Sequence, residues 1–147
     1  MSGYQTVVVG TDGSDSSLRA VDRAGALASG PGAKVIVASA YLPHSDDPKA
    51  QDVLRDESYQ ATGTAPIYAI LREAKERAEA AGATEVEEKA IVGAPVDALI
   101  ELAEKVGADL LVVGNVGLST IAGRLLGSVP ANVSRRARVD VLIVHTV

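Results

Sequence analysis

The chain has 147 residues, 47% of them hydrophobic, with no cysteine, tryptophan or phenylalanine and a formal net charge of −5. That length suffices for one domain with its own core, the missing cysteines exclude disulfides and thiolate metal sites, and the acidic balance argues against an electrostatic grip on nucleic acid. No apolar stretch approaches the roughly 20 residues that span a bilayer, and the start Met1-Ser2-Gly3-Tyr4 has no signal-peptide pattern, so the expectation is one cytoplasmic domain over residues 1–147.

Thr6 to Gly10 reads as a short strand buried on both faces. Thr11 to Ser16 is rich in capping side chains, and helical spacing then runs from Leu18 to Ala28, with Gly30-Pro31-Gly32 as its stop. Lys34 to Tyr41 is the second strand. From Leu42 to about Thr62 the chain is polar, holds Pro43, Pro48 and several acids, and reads as a long loop. A helix opens at Thr64 to Pro66 and reaches Ala81, closed by Gly82; Pro66 sits early in it, where a missing N–H costs little. Thr84 to Val92 alternates apolar and charged residues, as an outer strand does. Gly93-Ala94-Pro95 starts a third helix, Val96 to Val106, with Leu99, Leu102, Ala103 and Val106 on one face. Asp109 to Gly114 is the fourth strand. Gly127-Ser128 starts the last helix, with Pro130 in its first turn, and Val141 to Val144 is the fifth strand.

This alternation of strand and helix predicts an α/β fold with right-handed crossovers and a doubly wound parallel sheet. In such sheets ligands bind beyond the carboxyl ends of strands, where the winding reverses. Two strands end in glycine followed by polar or glycine-rich turns, at Gly10 and Gly114, and these mark the candidate switch point.

Gly114-Asn115-Val116-Gly117 is followed by nine residues and then by Gly127-Ser128. Glycine lets backbone N–H groups approach an anion without a Cβ in the way, and a helix start adds unpaired donors and a favourable dipole. The plainer reading of the same glycines is strand-end and helix-cap geometry, and that of Asp12-Gly13-Ser14 is turn and N-cap chemistry. Enzymatic signatures fail. There is no P-loop and no GxGxxG, and Ile121 stands where a G-x-S-x-G elbow begun at Gly117 needs its last glycine. His44 and His145 lack a third metal ligand at recognisable spacing, and Asp46-Asp47 lacks the rest of a calcium loop. The expectation is a binding protein with no metal site.

Four pieces of the chain, Val7 to Ser14, Val92 to Pro95, Ala108 to Gly114 and the glycine signature through Gly127-Ser128-Val129, resemble the universal stress protein family, and the likeness covers nearly the whole sequence. The resemblance implies a five-stranded parallel sheet of order 3-2-1-4-5, a homodimer formed through the last strand, Val141 to Val144, and an adenine nucleotide lying across the ends of strands one and four. It implies that Asp12, flanked by Gly10 and Thr11, contacts the ribose or orients its loop, and that the backbone at Ala40 reads the adenine edge. Gly114 and Gly117 would bring amides to phosphate and ribose, Gly127, Ser128 and Val129 would form the phosphate seat, and Val113 and Val116 complete the nucleotide-binding set. Members with an intact signature bind ATP, and some are associated with cyclic AMP (cAMP). Many place a basic or histidine residue between the first two glycines; Asn115 and Val116 stand there in this chain, which removes a cationic partner for extra phosphate charge. The expectation therefore leans to cAMP, with ATP and its magnesium as the alternative and Arg124 as the compensating cation. Two rivals stand beside it: a weak ATPase or autophosphorylating switch using Ser119, Thr120 or Ser128, and a partner-binding dimer with a vestigial pocket. The long loop is expected to fold over the site, with Tyr41 or Tyr59 stacking on the base.

Overall fold

The computed structural model describes residues 4–41, 65–93, 95–114 and 138–145. In chain order these form β1 (Thr6–Gly10), α1 (Asp15–Leu27), β2 (Lys34–Tyr41), α2 (Ala65–Ala80), β3 (Val86–Val92), α3 (Pro95–Val106), β4 (Leu110–Gly114) and β5 (Asp140–Val144). The strands make one sheet, order β3-β2-β1-β4-β5, and every pairing is parallel. The doubly wound sheet expected from the sequence is the sheet observed. The loop from Leu42 to Thr62 and the helix expected from Gly127 lie outside the described residues.

Valine, isoleucine and leucine fill the inner strands because a parallel sheet covered on both sides offers no wet face. Val7, Val8 and Val9 of β1 are all fully buried, as are Leu111, Val112 and Val113 of β4. Strand alternation divides these residues between two cores. Val7, Val9, Val35, Val37, Leu110 and Val112 pack with α1 and α2. Val8, Ile36, Ala38, Leu111 and Val113 pack with Leu99, Leu102 and Ala103 of α3.

The two cores follow from the winding. From β1 to β3 the chain steps in one direction across the sheet and keeps its helices on one face. After β3 it crosses back to β4, so a crossover of the same hand puts α3 on the opposite face. The winding therefore reverses between β1 and β4, which are neighbours with Val9 paired to Val112.

Each helix shows why it forms where it does. In α2, Ile67, Leu71, Ala74 and Ala78 recur at helical spacing and are buried on one stripe. Helix α1 begins three residues before the expected Leu18, because Ser14 is its N-cap and accepts the amide of Ser17. Where α1 meets α2, a Cβ at Gly25 would lie 2.5 Å from the carbonyl oxygen of Ala78, so the crossing admits only glycine on the α1 side. Arg77 of α2 forks onto Asp22 of α1 through Nε (3.0 Å) and Nη2 (2.6 Å). Both side chains are more than a third exposed, so this pair adds only about 0.5 kcal/mol.

The start of β1 is tied down by polar groups. Both carboxylate oxygens of Asp109 accept backbone amides, from Gln5 and from Thr6, each at 2.9 Å. The Tyr4 hydroxyl donates to Asp140 at the head of β5 (2.9 Å). Asp109 thus stands just before β4 and serves as a side-chain acceptor rather than as the strand's first residue.

Candidate nucleotide site at the switch point

Gly10 closes β1 and Gly114 closes β4, and the parallel ladder between these strands brings both carboxyl ends to the same place in the sheet. Strand β2 ends beside them. Gly10 pairs with Ala38, and the amide of Thr11 donates to the Ala38 carbonyl (2.9 Å), carrying the ladder one residue past β1. Ala40, half-buried, lies two residues further along β2 and pairs on its other side with Ile91. Of the residues expected at the site, Gly10, Thr11, Asp12, Ala40, Val113 and Gly114 are thus gathered at the carboxyl ends of three adjacent strands. Val116, Gly117, Gly127, Ser128 and Val129 lie outside the described residues, as do Arg124 and Tyr59. Tyr41 is half-buried and packs against the core shared by α1 and α2.

The turn from β1 into α1 is held by a chain of hydroxyl hydrogen bonds whose proton directions can be assigned. The Ser17 hydroxyl has one proton, and its bond to the Ser14 carbonyl (3.0 Å) uses it, since a carbonyl oxygen only accepts. Across the 2.8 Å contact between the two hydroxyls, Thr11 is therefore the donor and Ser17 the acceptor. Thr11 Oγ1 in turn accepts the amide of Gly13 (3.0 Å). Thr11 and Ser17 are buried, so each bond replaces a water the groups cannot reach.

Asp12 sits between these anchors, partly buried. Its Oδ1 accepts the amide of Ser14 (2.9 Å), and its own amide donates to Ser17 Oγ (3.3 Å). Gly13 then turns at φ +87°, against the side chain of Ile70 from α2. The carboxylate is presented at the switch point by a turn fixed from both of its ends. Val113 contributes backbone only, because its side chain is wholly inside the second core.

This arrangement suits a neutral hydroxylated ligand part better than a covalent reaction. Neither the Thr11 nor the Ser17 hydroxyl is positioned as a nucleophile, since each is buried and already hydrogen-bonded. Among the described residues no group of three or more His, Cys, Asp or Glu side chains is placed to hold a metal ion. No described helix is long and apolar enough to cross a membrane. An open hollow of about 450 Å³ along α2, lined by Tyr68, Ala69, Arg72, Glu73 and Glu76, contains none of the switch-point residues.

Sequence reasoning missed Ser17. In the sequence it follows the capping run Thr11 to Ser16 and carries no motif of its own. The signal was its spacing three residues after Ser14, the N-cap to third-residue relation of a reciprocal cap.

A five-stranded parallel sheet with an acid and two glycines at its switch point defines a doubly wound α/β domain, and comparison with known proteins narrows the class. The model of the Usp family, described as the universal stress protein family, matches residues 3–145, and the chain belongs to that family. It is 75% identical over 146 residues to the universal stress protein Rv1636 of Mycobacterium tuberculosis, covering 99% of both chains. Among solved structures it is similar to a universal stress protein crystallised in complex with cAMP, with 66% identity, a TM-score of 0.77 and coverage of 99% of this chain and 100% of that one. The universal stress protein UspA from Lactobacillus plantarum shares the fold, with a TM-score of 0.78 at 20% identity and coverage of 98% and 99%.

Proposed function

We propose that this chain is an adenine-nucleotide-binding protein that favours cAMP and serves as its sensor or buffer. The observation that carries the reading is the similar universal stress protein crystallised with cAMP, which is 66% identical to this chain over essentially its full length. The geometry of the described half of the site supports it. The ribose of cAMP keeps its 2′ hydroxyl as a donor, and Asp12 is a carboxylate acceptor held at the switch point beside Gly10 and Thr11. The backbone at Ala40 reads the adenine edge, and the amides of Gly114, Gly117, Gly127, Ser128 and Val129 hold the phosphate, with Val113 and Val116 completing the nucleotide-binding set. Between the first two glycines, where many family members carry a basic or histidine residue, the sequence has Asn115 and Val116, so a single cyclic phosphate suits it better than a triphosphate. Magnesium enters only with ATP. Two chains associate through β5, the edge of the sheet, where Ile143 is 40% exposed.

Calorimetric titration with cAMP, with AMP and with magnesium-ATP tests the reading. Tighter binding of cAMP than of ATP is the expected result. A preference for magnesium-ATP would turn the reading to an ATP-binding protein with Arg124 as its cation, and no heat from any of the three would overturn nucleotide binding altogether.

A further inference from the structure

We propose that Ser17 is a positioning residue for the nucleotide site, acting through Asp12. The inference rests on the nucleotide reading above and adds to it a residue that touches no ligand. Ser17 is fully buried in the first turn of α1, and its oxygen is a junction: it accepts the Asp12 amide and the Thr11 hydroxyl, and donates to the Ser14 carbonyl. Capping alone does not need this hydroxyl. The cap of α1 is made by Ser14 Oγ and the Ser17 backbone amide (3.1 Å), and both persist when the Ser17 side chain is removed.

What the hydroxyl adds is control of the residue before the helix. Asp12 is pinned at its carboxylate by the Ser14 amide and at its backbone by Ser17. With the second pin lost, the buried Thr11 hydroxyl loses its acceptor and the Asp12 amide loses its bond to Ser17, so the turn must shift to satisfy them. A carboxylate aimed at a ribose is sensitive to such a shift, because directed hydrogen bonds weaken steeply with angle.

The test is a double-mutant cycle on cAMP affinity, read by calorimetry on the full chain, with thermal melting recorded for every variant. Ser17→Ala is expected to weaken cAMP binding by about tenfold, the effect of one buried hydrogen bond. In an Asp12→Ala background the same change is expected to cost almost nothing further, since the group it positions is gone. Ser17→Cys, which fills the space with a poor hydrogen-bonding group, is expected to behave as alanine does and guards against loss of fold in the smaller variant. Two results would overturn the proposal: unchanged cAMP affinity in Ser17→Ala and Ser17→Cys, or an equal loss with and without Asp12, which is the mark of a general structural effect. Failure of the unmutated chain to bind cAMP, AMP or magnesium-ATP would instead remove the nucleotide reading, and this proposal with it.

Discussion

Gly13 turns the chain at φ +87° between β1 and α1, and a Cβ there would stand 3.0 Å from Cγ1 of Ile70. An alanine would strain the backbone and press on α2 together. Gly13→Ala is therefore expected to lower the unfolding free energy by about 1–2 kcal/mol, measurable as an earlier midpoint in a urea melt. Tyr4 gives a prediction in pH. The hydrogen bond to the Asp140 carboxylate raises the phenol's pKa, and desolvation and the charges of Asp140 and Asp109 push the same way. The folded protein thus holds this proton more tightly than the unfolded chain does. Its contribution to stability is complete below the unfolded phenol's pKa and is lost as the pH rises through the higher folded value. An ultraviolet titration of the folded protein should show a phenol ionising above the ordinary range, and Tyr4→Phe should remove it. Individual residues were unevenly legible in the sequence. Gly10 and Gly114 could be marked as strand ends because breaks between apolar runs and polar turns show where strands stop, whereas Asp12 was marked through the family resemblance. Ser17 had only its spacing from Ser14 to mark it, because a buried hydroxyl and a solvated capping hydroxyl are written with the same residue and packing separates them.

At the scale of elements, strand and helix identities could be read along the chain because the periods are clean: unbroken valine and leucine runs for β1 and β4, and a single helical stripe from Ile67 to Ala78 for α2. The errors lie at ends, where a side chain outside the pattern decides. Ser14 moved the start of α1 forward, and Asp109 gave its carboxylate to two amides of the neighbouring segment. The contact between α1 and α2 was invisible, since Gly25 in a helical run reads as a weakness until its neighbour is known. Gly25→Ala gains helix propensity in an isolated helix but forces α1 away from Ala78 here. A net destabilisation of about 1–3 kcal/mol is expected, checked by denaturant unfolding. The two edge strands are built differently. Along β3 run Glu87, Glu88 and Lys89, with Glu87 ion-paired to Lys34 at 3.2 Å. After its first residue, β5 is wholly apolar, as Val141-Leu142-Ile143-Val144. Ile143→Lys is expected to leave the fold intact and to convert a dimer to a monomer in light scattering behind size-exclusion chromatography.

The whole molecule links site and stability. A ligand that binds the strand ends in the folded state alone must raise stability, by about 2.7 kcal/mol when its concentration is a hundred times its dissociation constant. Saturating cAMP is therefore expected to raise the melting temperature, and AMP to raise it less at the same concentration. The switch point itself was legible because topology follows from the order of elements; the glycine signature beyond Gly114 falls outside the described residues. The unlike edges of the sheet carry a last consequence. A strand-rich protein that can pair at both edges can add copies without end. On the proposed pairing through β5, each chain is left with the charged β3 edge, which resists further pairing, so such an assembly would stop at two. An assembly closed in this way can reach high concentration without seeding a fibre.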